Sequence, residues 1–456
     1  MMTSRRIETL PDRIAGTGTD FSEKSREGTM TERGISRRAF AKAAVAIGGT
    51  SALAACLDRG GSEPIPSGPD DLSTLPSRQH AWNESLPTDD HGNVRTPYHH
   101  LLLYYDYDAE TTDAGDATTP TEGDRKTVED ALRSLERAYE HSSDGLVFTI
   151  GYSRRYFDRY DDSLPESVDL PRPEPLAPFE DPEPDEPDAI VHLASDRPEA
   201  LLEAEEALRG NRETANDSEM RAALSNVLTF RERRTGFIGD GMPAERDDVD
   251  GVPGGSVPDD APMYMGFKSG FRANQATEDL VTIQSGPFEG GTTQHVSKIH
   301  LHLDQWYEQD SRSQRVGKMF CPAHAAEDRV EGAGHNLGAA SGASACPAHA
   351  DSARESGVVG HAQKNAAARE DGSPIMLRRD FDSTDDDRAG LHFLALQRDI
   401  SDFVETREAM NGADAAEESG AVGTRLNNGI LEYMTVRRRG NYLLPPRPKR
   451  ALPRPR

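Results

Sequence analysis

Apolar residues recur along the first half of the chain with two periods, one of two residues and one close to 3.6. Short apolar runs indicate strands, and they lie at 98–107, 146–152, 189–194 and 227–233. The helical period indicates two helices, over 128–141 and 198–209. The order strand, helix, strand, strand, helix, strand is typical of a ferredoxin-like α+β unit, with helices on one face of an antiparallel sheet.

The second half carries a further set of regular segments. Residues 296–304 and 391–399 indicate strands, and residues 400–410 indicate a helix. A stretch rich in Gly, Pro and Asp, 240–262, has the composition of a linker between the halves. The predicted plan is therefore a first domain at 97–250, a second domain at 260–446 with an insertion at 320–359, and a basic, solvated tail at 447–456.

The composition is strongly acidic, and this narrows the range of partners. The 456 residues include 79 Asp and Glu against 52 Lys and Arg, which gives a formal net charge of −27. Lysine is scarce among the basic residues, a composition similar to that of proteins adapted to high salt. So large a negative charge argues against nucleic acid as a partner, because the phosphate backbone is itself anionic. The predicted strands and helices argue against a disordered acidic chain.

The N-terminal region predicts export. Residues 36–42, SRRAFAK, resemble the twin-arginine export motif, and the apolar run 43–55 that follows is too short to span a bilayer. It ends in LAAC, which resembles a lipobox with Cys56 as the lipid-modified residue. We therefore expect a signal at 1–55, with Met30 as an alternative start, and an acidic tether at 56–96. The protein is then expected outside the cytoplasm, anchored to the outer face of the cell membrane by lipid on Cys56.

The insertion contains the same four residues twice, as Cys321-Pro-Ala-His324 and Cys346-Pro-Ala-His349. Two thiolates and two imidazoles are a ligand set that zinc prefers. A disulfide between Cys321 and Cys346 is an equally reasonable outcome outside the cytoplasm, and two unpaired thiols are a third.

A histidine and an arginine 17 positions apart are the strongest candidates for chemistry. His361 opens the stretch GHAQKNA, and Arg378 lies in MLRRD after a strand-like run. A neutral imidazole can ligate haem iron, and a fixed arginine can stabilise charge that develops as an O–O bond breaks. On residue types alone, a surface histidine and a solvated arginine pair are the plainer interpretation.

These stretches resemble the proximal-histidine and distal-arginine region of the dye-decolorising peroxidases. The segment 265–270, MGFKSG, resembles that family's MGFKDG motif, with Ser269 at the acidic position. The segment 148–159, FTIGYSRRYFDR, resembles a segment of its first domain. The chain departs from the family at Ala366 and Ala367, where Pro-Arg is usual, and at Asp380, where Gly is usual.

The resemblance implies a fold of two ferredoxin-like domains, a dimeric α+β barrel-like peroxidase fold, with one haem b. It implies that His361 is the iron ligand and that Arg378 polarises the O–O bond of hydrogen peroxide. Ser269 lacks the carboxyl group that assists proton transfer in the family, although its hydroxyl could hold a water that relays the proton. Asp399 has two open roles, as an acceptor for the His361 ring N–H or as the cap of the following helix.

The sequence thus predicts an exported haem peroxidase that reduces hydrogen peroxide and oxidises an unknown electron donor. Two alternatives remain open at this level. One is a protein that binds or delivers haem without turnover, because Ser269 replaces the acid. The other is a surface metal-binding or interaction protein that uses the two Cys-x-x-His elements.

Overall fold

The computed structural model describes residues 63–107, 119–370 and 372–456. The predicted signal at 1–55 and Cys56 lie outside these residues. Among the residues described, no helix combines the length and the apolar character needed to cross a membrane.

The main sheet is built on eight strands that close into a ring. The strands are β1 (His99–Tyr107), β2 (Val147–Ser153), β3 (Ala189–Ser195), β4 (Leu228–Phe237), β5 (Thr292–Leu301), β6 (Phe381–Ser383), β7 (Gly390–Gln397) and β8 (Met434–Leu444). Each pairs antiparallel with two neighbours, in the order β1–β3–β2–β8–β5–β7–β6–β4 and back to β1. Two-residue strands attach outside the ring, Leu377–Arg378 on β7 and Glu183–Pro184 on β8.

The two halves of the ring have the same topology. The first four strands lie in the order β4–β1–β3–β2, and the last four lie in the order β8–β5–β7–β6. Each half therefore has the strand order 4-1-3-2 of a ferredoxin-like sheet, and the halves join at β2–β8 and at β4–β6. This confirms the predicted α+β class with two ferredoxin-like antiparallel sheets.

Nine α-helices complete the described part of the chain. They are α1 (Glu122–Ala138), α2 (Arg154–Phe157), α3 (Pro198–Leu208), α4 (Arg312–Met319), α5 (Pro322–Ala326), α6 (His349–Ser356), α7 (His361–Asn365), α8 (Ile400–Asn411) and α9 (Ala413–Glu418). The connection from β5 to β6 carries α4 to α7, so the insertion predicted at 320–359 lies directly before the helix that begins at His361.

Helix α1 shows how the sequence specifies the first half. Thr121 caps it, because its hydroxyl accepts the backbone N–H of Asp124 at 3.2 Å while the Asp124 carboxylate accepts the N–H of Thr121 at 2.8 Å. Val128, Leu132 and Leu135 follow at helical spacing and are fully buried against the sheet. Burial of each of these side chains contributes about 1.5–3 kcal/mol.

A second core lies under the other half of the ring and is rich in aromatic side chains. Trp306 is fully buried and donates its indole N–H to the Met265 carbonyl at 3.0 Å. Tyr433 packs edge-on against Trp306, and Phe267 lies edge-on between Trp306 and Phe320. These contacts fix the loop around residue 267 and the start of the insertion relative to the sheet.

The segment predicted as a tether is packed against the fold from residue 63 onward, so that prediction was wrong for residues 63–96. Trp82 is fully buried. The Gln79 side chain accepts the backbone N–H of Ile150 at 2.9 Å and donates to the carbonyls of Ile150 and Pro445. Gln79 therefore links the middle of β2 to the residue that follows β8, a contact that composition alone does not indicate.

The basic tail is also packed rather than solvated, which corrects the second prediction about the termini. Arg450 is 1% exposed, and its guanidinium binds the carboxylates of Glu136 and Glu129 on α1. Arg447 pairs with the same Glu136. These buried ion pairs replace the solvated tail that the sequence predicts.

Candidate functional site

A cavity of about 350 Å³ lies between the second half of the sheet and the helices that follow β5 and β7. Side chains from β5, β7, β8, α7 and α8 line it, and most of them are apolar. Ile299, Leu391, Phe393, Phe403 and Met434 are representative. A concave, mostly apolar site of this size with few polar groups suits an organic ligand or cofactor.

His361 is the first residue of α7, and the backbone before it is tightly fixed. A Cβ on Gly360 would lie 1.8 Å from the carbonyl oxygen of Phe320, so only glycine fits there. The Gln363 carboxamide accepts the N–H of Gly360 at 3.1 Å and donates to the hydroxyl of Ser352 at 2.8 Å. The start of α7, and with it the histidine, is therefore held by two parts of the insertion, the Phe320 carbonyl and Ser352 on α6.

The imidazole of His361 lines the cavity and is neutral at ordinary pH. Burial is the main cause that lowers its pKa to about 3, and the charges of Arg378, Lys364 and Arg407 act in the same direction. A neutral imidazole keeps a free lone pair, which is the form that binds a metal ion.

Arg378 enters the cavity because side chains alternate along the segment 378–382. Arg378, Asp380 and Asp382 line the cavity, whereas Phe381 stacks on His100 on the other side, with ring centroids 4.3 Å apart. The backbone N–H of Arg378 donates to the side-chain oxygen of Gln275 at 3.0 Å. Its guanidinium Nη1 lies 4.0 Å from Oδ2 of Asp380.

The second arginine of the pair has a structural role. The Arg379 guanidinium donates to Glu278 at 2.8 Å and lies 4.3 Å above the ring of Trp82. It is 3% exposed, so the pair is not solvated. Arg379 thereby ties the segment around Trp82 to the strand that carries Arg378.

Ser269 lies on the same cavity wall as Arg378 and Asp380. Its neighbour Lys268 donates its backbone N–H to the carbonyl of Ala333 at 2.8 Å, which anchors this loop. Ser269, Arg378 and Asp380 also line a second cavity of about 640 Å³. The structure therefore brings His361, Arg378 and Ser269 to one cavity, and it places Ser269 and Arg378 between two cavities.

A family model described as a family of unknown function (DUF7405) matches residues 97–446. The chain belongs to this family. The matched region includes every cavity residue described above. A comparison with curated proteins finds no match.

Several solved structures are similar to this chain. A DypB variant from Rhodococcus jostii RHA1 in complex with heme is 15% identical, with 81% of this chain and 96% of that chain covered and a TM-score of 0.49. A putative DyP-type peroxidase from Shewanella oneidensis is 16% identical, with coverages of 78% and 94% and a TM-score of 0.47. A dye-decolorizing protein from V. cholerae is 14% identical, with coverages of 80% and 97% and a TM-score of 0.44.

Asp399 is placed away from the candidate iron ligand, which corrects one of the two predicted roles. It is the residue that precedes α8, and its backbone N–H donates to the Asp402 carboxylate at 3.3 Å. It does not line the cavity that contains His361. The position of Asp399 is that of a helix cap, because β7 ends at Gln397 and the chain turns directly into α8.

The two cysteines of the insertion form a disulfide, Cys321–Cys346. His324 lies beside it, with Nδ1 3.1 Å from the Cys321 sulfur and Nε2 3.0 Å from the Ser341 carbonyl oxygen. His349 lies elsewhere and pairs with Asp414 on α9. The four-ligand zinc site predicted as an alternative is thus not assembled, because both thiols are oxidised and His349 points to another partner.

Asp380 and Asp382 are cavity residues that the sequence analysis did not assign. Burial raises the pKa of Asp380 to about 6 and raises the pKa of Asp382 well above its usual value. The alternation from Arg378 to Asp382 was a signal that could have placed both carboxyl groups on the arginine's face. This alternation alone could not identify the two carboxyl groups as cavity residues, because a stretch of five residues does not show which face of the segment is buried.

Proposed function

We propose that this protein is a peroxidase with haem b as its cofactor, which reduces hydrogen peroxide and oxidises an electron donor. The observation that carries the proposal is that His361 and Arg378 line one apolar cavity. The motif resemblances around His361, Arg378 and residues 265–270 support the same assignment.

The residues of the cavity fit a haem group. The neutral imidazole of His361 would hold the iron, and the apolar side chains would contact the ring. Arg437 lines the cavity and is exposed at its edge, where it would pair with a propionate. When bound, haem supplies a ferric iron and a conjugated ring that together give up the two electrons that reduce peroxide.

Arg378 is placed to stabilise the negative charge that develops on oxygen as the O–O bond breaks. A fixed cation in a water-poor site acts strongly on such charge, because little solvent screens it. Two donor molecules then return one electron each. The overall reaction is H2O2 + 2 AH → 2 H2O + 2 A•, where AH is the donor.

An absorption spectrum recorded before and after addition of peroxide tests the proposal. The wild-type protein, purified from the exported pool, should show a Soret band that shifts on mixing with peroxide. His361→Ala should lose the band or hold haem loosely, whereas His349→Ala, a histidine outside the cavity, should keep it. Arg378→Leu should keep the band and react with peroxide about 10²–10³-fold more slowly. A wild-type Soret band in His361→Ala would contradict the ligand assignment.

A protein that binds haem without turnover is the second candidate, and the hydroxyl of Ser269 in place of an acid favours it. A peroxidase should complete many turnovers with peroxide and an artificial donor such as a phenol, whereas a protein that only binds haem should not. Haem binding with no turnover at any pH between 4 and 8 would support the second candidate over the first.

We further propose that the protein is exported by the twin-arginine translocase and anchored by lipid on Cys56. The motif 36–42 and the lipobox support this proposal, since this route carries folded proteins with their cofactors. Replacement of Arg37 and Arg38 by Lys should trap precursor in the cytoplasm, and Cys56→Ser should release the protein from the membrane. Membrane association unchanged in both variants would contradict the proposal. The acidic composition supports a high-salt environment.

A further inference from the structure

Among the described residues, Asp380 is the one carboxylate that lines both cavities. It is 9% exposed and belongs to the wall that separates the 350 Å³ cavity from the 640 Å³ cavity. Its Oδ1 accepts the backbone N–H of Leu394 at 3.2 Å, and its Oδ2 lies 4.0 Å from the Arg378 guanidinium. One oxygen thus fixes the side chain, and the other is directed to the arginine.

We propose that Asp380 is the acid–base residue of peroxide cleavage and takes over the role that Ser269 cannot perform. This inference rests on the proposed peroxidase function. The family resemblance places the acid on the loop at 265–270, where this chain has Ser269. The structure instead offers a carboxylate two residues beyond the arginine, in the link between the strand Leu377–Arg378 and β6, and this carboxylate lines both cavities together with Ser269.

The proton step uses Asp380 in both directions. The ionised carboxylate takes the proton from one oxygen of hydrogen peroxide and gives it to the other oxygen as the O–O bond breaks. That oxygen leaves as water, and the two electrons that it requires come from the bound haem. The carboxylate is ionised again at the end of the step, so it acts as a catalyst.

The surroundings of Asp380 suit a group that exchanges protons near neutral pH. Burial raises its pKa to about 6, and the charge of Arg378 and the N–H of Leu394 oppose that rise. Lys268, beside Ser269, lines both cavities together with Asp380 and Arg378. The other titratable groups of the first cavity are His361, Asp382, Glu180, Asp181, Arg407, Arg425, Arg437 and Arg439. Those of the second cavity are Asp89, Arg95, Tyr98, Asp240, Arg272, His335 and Arg379. A base with a pKa close to the working pH is largely ionised and still binds a proton strongly enough to remove it from the substrate.

Asp382 is less suited to the same role, although it is the next side chain on this face. Its Oδ2 accepts the backbone N–H of Tyr264 at 2.6 Å, and burial raises its pKa well above the usual value, which favours the protonated form. It lines the first cavity alone, whereas Asp380 lines both. Peroxide that enters through the second cavity therefore meets Asp380 and Arg378 together.

Stopped-flow mixing of the haem-loaded protein with peroxide between pH 4 and 8 tests the inference. In the wild type, the rate should fall as pH falls through about 6, because the base becomes protonated. Asp380→Asn should cut the rate about 10²–10⁴-fold and abolish this inflection. Asp380→Glu should retain much of the rate. Asp196→Asn is the matched control, because Asp196 also accepts one backbone N–H and has a pKa raised by burial, yet lies outside both cavities.

A second measurement does not depend on turnover. Fluoride binding to the ferric protein should tighten as Asp380 takes up a proton, so its affinity should depend on pH around 6 in the wild type and in Asp196→Asn. Asp380→Asn should lose that dependence. The double variant Asp380→Asn with Ser269→Asp should regain at least tenfold in peroxide rate over Asp380→Asn, since it restores a carboxylate to the same wall.

The outcomes separate this inference from the proposed function. A wild-type protein that binds haem but does not cleave peroxide overturns the proposed function and this inference with it. An active wild type, with an Asp380→Asn variant of equal rate and equal pH profile, overturns the inference alone. If Asp380→Asn does not retain haem, an Asp380→Glu variant that lacks the inflection near pH 6 overturns it.

Discussion

Asp380 shows at the scale of one residue how function can oppose stability. A carboxyl group whose pKa is raised from 3.8 to about 6 by folding binds its proton more tightly in the folded state. Its contribution to stability is therefore present at low pH and is lost as pH rises from about 3.8 to about 6. At pH 7 this ionisation costs about 3 kcal/mol.

Asp380→Asn should accordingly stabilise the apoprotein at pH 7 and leave it nearly unchanged at pH 4. The expected gain in the free energy of unfolding is roughly 2–3 kcal/mol, because asparagine still accepts the Leu394 N–H without carrying a charge. Urea unfolding at the two pH values measures the gain. An equal effect at pH 4 and pH 7 would show that the carboxyl group is not the source of the penalty.

His361, Arg378 and Ser269 could be predicted as site residues from the sequence, because each lies in a short motif that can be recognised without knowledge of the fold. Asp380 could not be predicted as a site residue in the same way. Its burial depends on the pairing of β6 with β7 and on the loop at Ser269, which meet only in the folded chain. The cap position of Asp399 depends similarly on where β7 ends.

At the scale of elements, the short helix α7 depends on the insertion that precedes it. Gly360 lies against the Phe320 carbonyl, and the N–H of Gln363 donates to the same oxygen at 3.2 Å. The disulfide Cys321–Cys346 begins at the next residue. The orientation of His361 is thus set by a segment that the sequence analysis treated as a separate insertion, since Ala-, Gly- and His-rich composition gives no sign of a packing partner.

Gly360→Ala should displace α7 and weaken haem binding. The added Cβ would lie 1.8 Å from a backbone oxygen, so the backbone must move, at a cost of about 1–3 kcal/mol. Haem titration followed at the Soret band measures the loss. Gly420→Ala is the control, because a Cβ at Gly420 meets no atom within 4 Å. Equal haem affinity in both variants would contradict this account.

Removal of the disulfide should loosen the same element. The double variant Cys321→Ser with Cys346→Ser should lose roughly 3 kcal/mol of unfolding free energy, given a separation of 25 residues between the cysteines. Haem dissociation should also become faster, since the segment before His361 is less constrained. Apomyoglobin capture of released haem measures that rate. The reductant dithiothreitol should speed release from the wild type and have no effect on the double variant.

At the scale of the whole molecule, buried histidines set the response to acid. Five buried histidines have a pKa lowered to about 3 or well below the usual value, mainly by burial, and so does the partly buried His361 in the cavity wall; the five are His80, His99, His100, His192 and His295. The unfolded chain binds protons at these positions from about pH 6.5 downward, and the folded chain does not. Stability is therefore complete above about pH 6.5 and is lost as pH falls toward 3.

The free energy of unfolding of the apoprotein should fall by about 1.4 kcal/mol per pH unit for each such histidine, less the opposing effect of buried carboxyls. Guanidinium unfolding at pH 8, 6.5 and 5 measures the slope. His295→Gln should reduce it, because the ring of His295 is buried against Phe403. His91→Gln, at an exposed position, is the control for the substitution itself. A stability that does not depend on pH in this range would refute the prediction.

The order of strands and helices in the first half could be predicted from periodicity, because each element there has its own local pattern. In the second half, periodicity predicted β5, β7 and α8 but not β6 and β8. The packing of the two ends could not be predicted. Arg450 pairs with Glu129 and Glu136, which lie more than 300 residues earlier, and Gln79 bonds to Ile150 and Pro445. The composition of both terminal segments predicted that they are solvated. A charged or proline-rich stretch has the same composition whether it is solvated or packed against a distant part of the chain.

The closed ring also determines when the protein can be completed during synthesis. Strand β8 provides the last two seams, where Tyr442 pairs with Ser153 of β2 and Asn441 pairs with His295 of β5. Its residues Met434 and Arg437 form part of the cavity wall. Almost the whole chain must therefore leave the ribosome before the cavity wall can form. A nascent chain that stalls earlier would leave β2 and β5 with open edges and no complete pocket, so truncated products should aggregate and should not retain a cofactor.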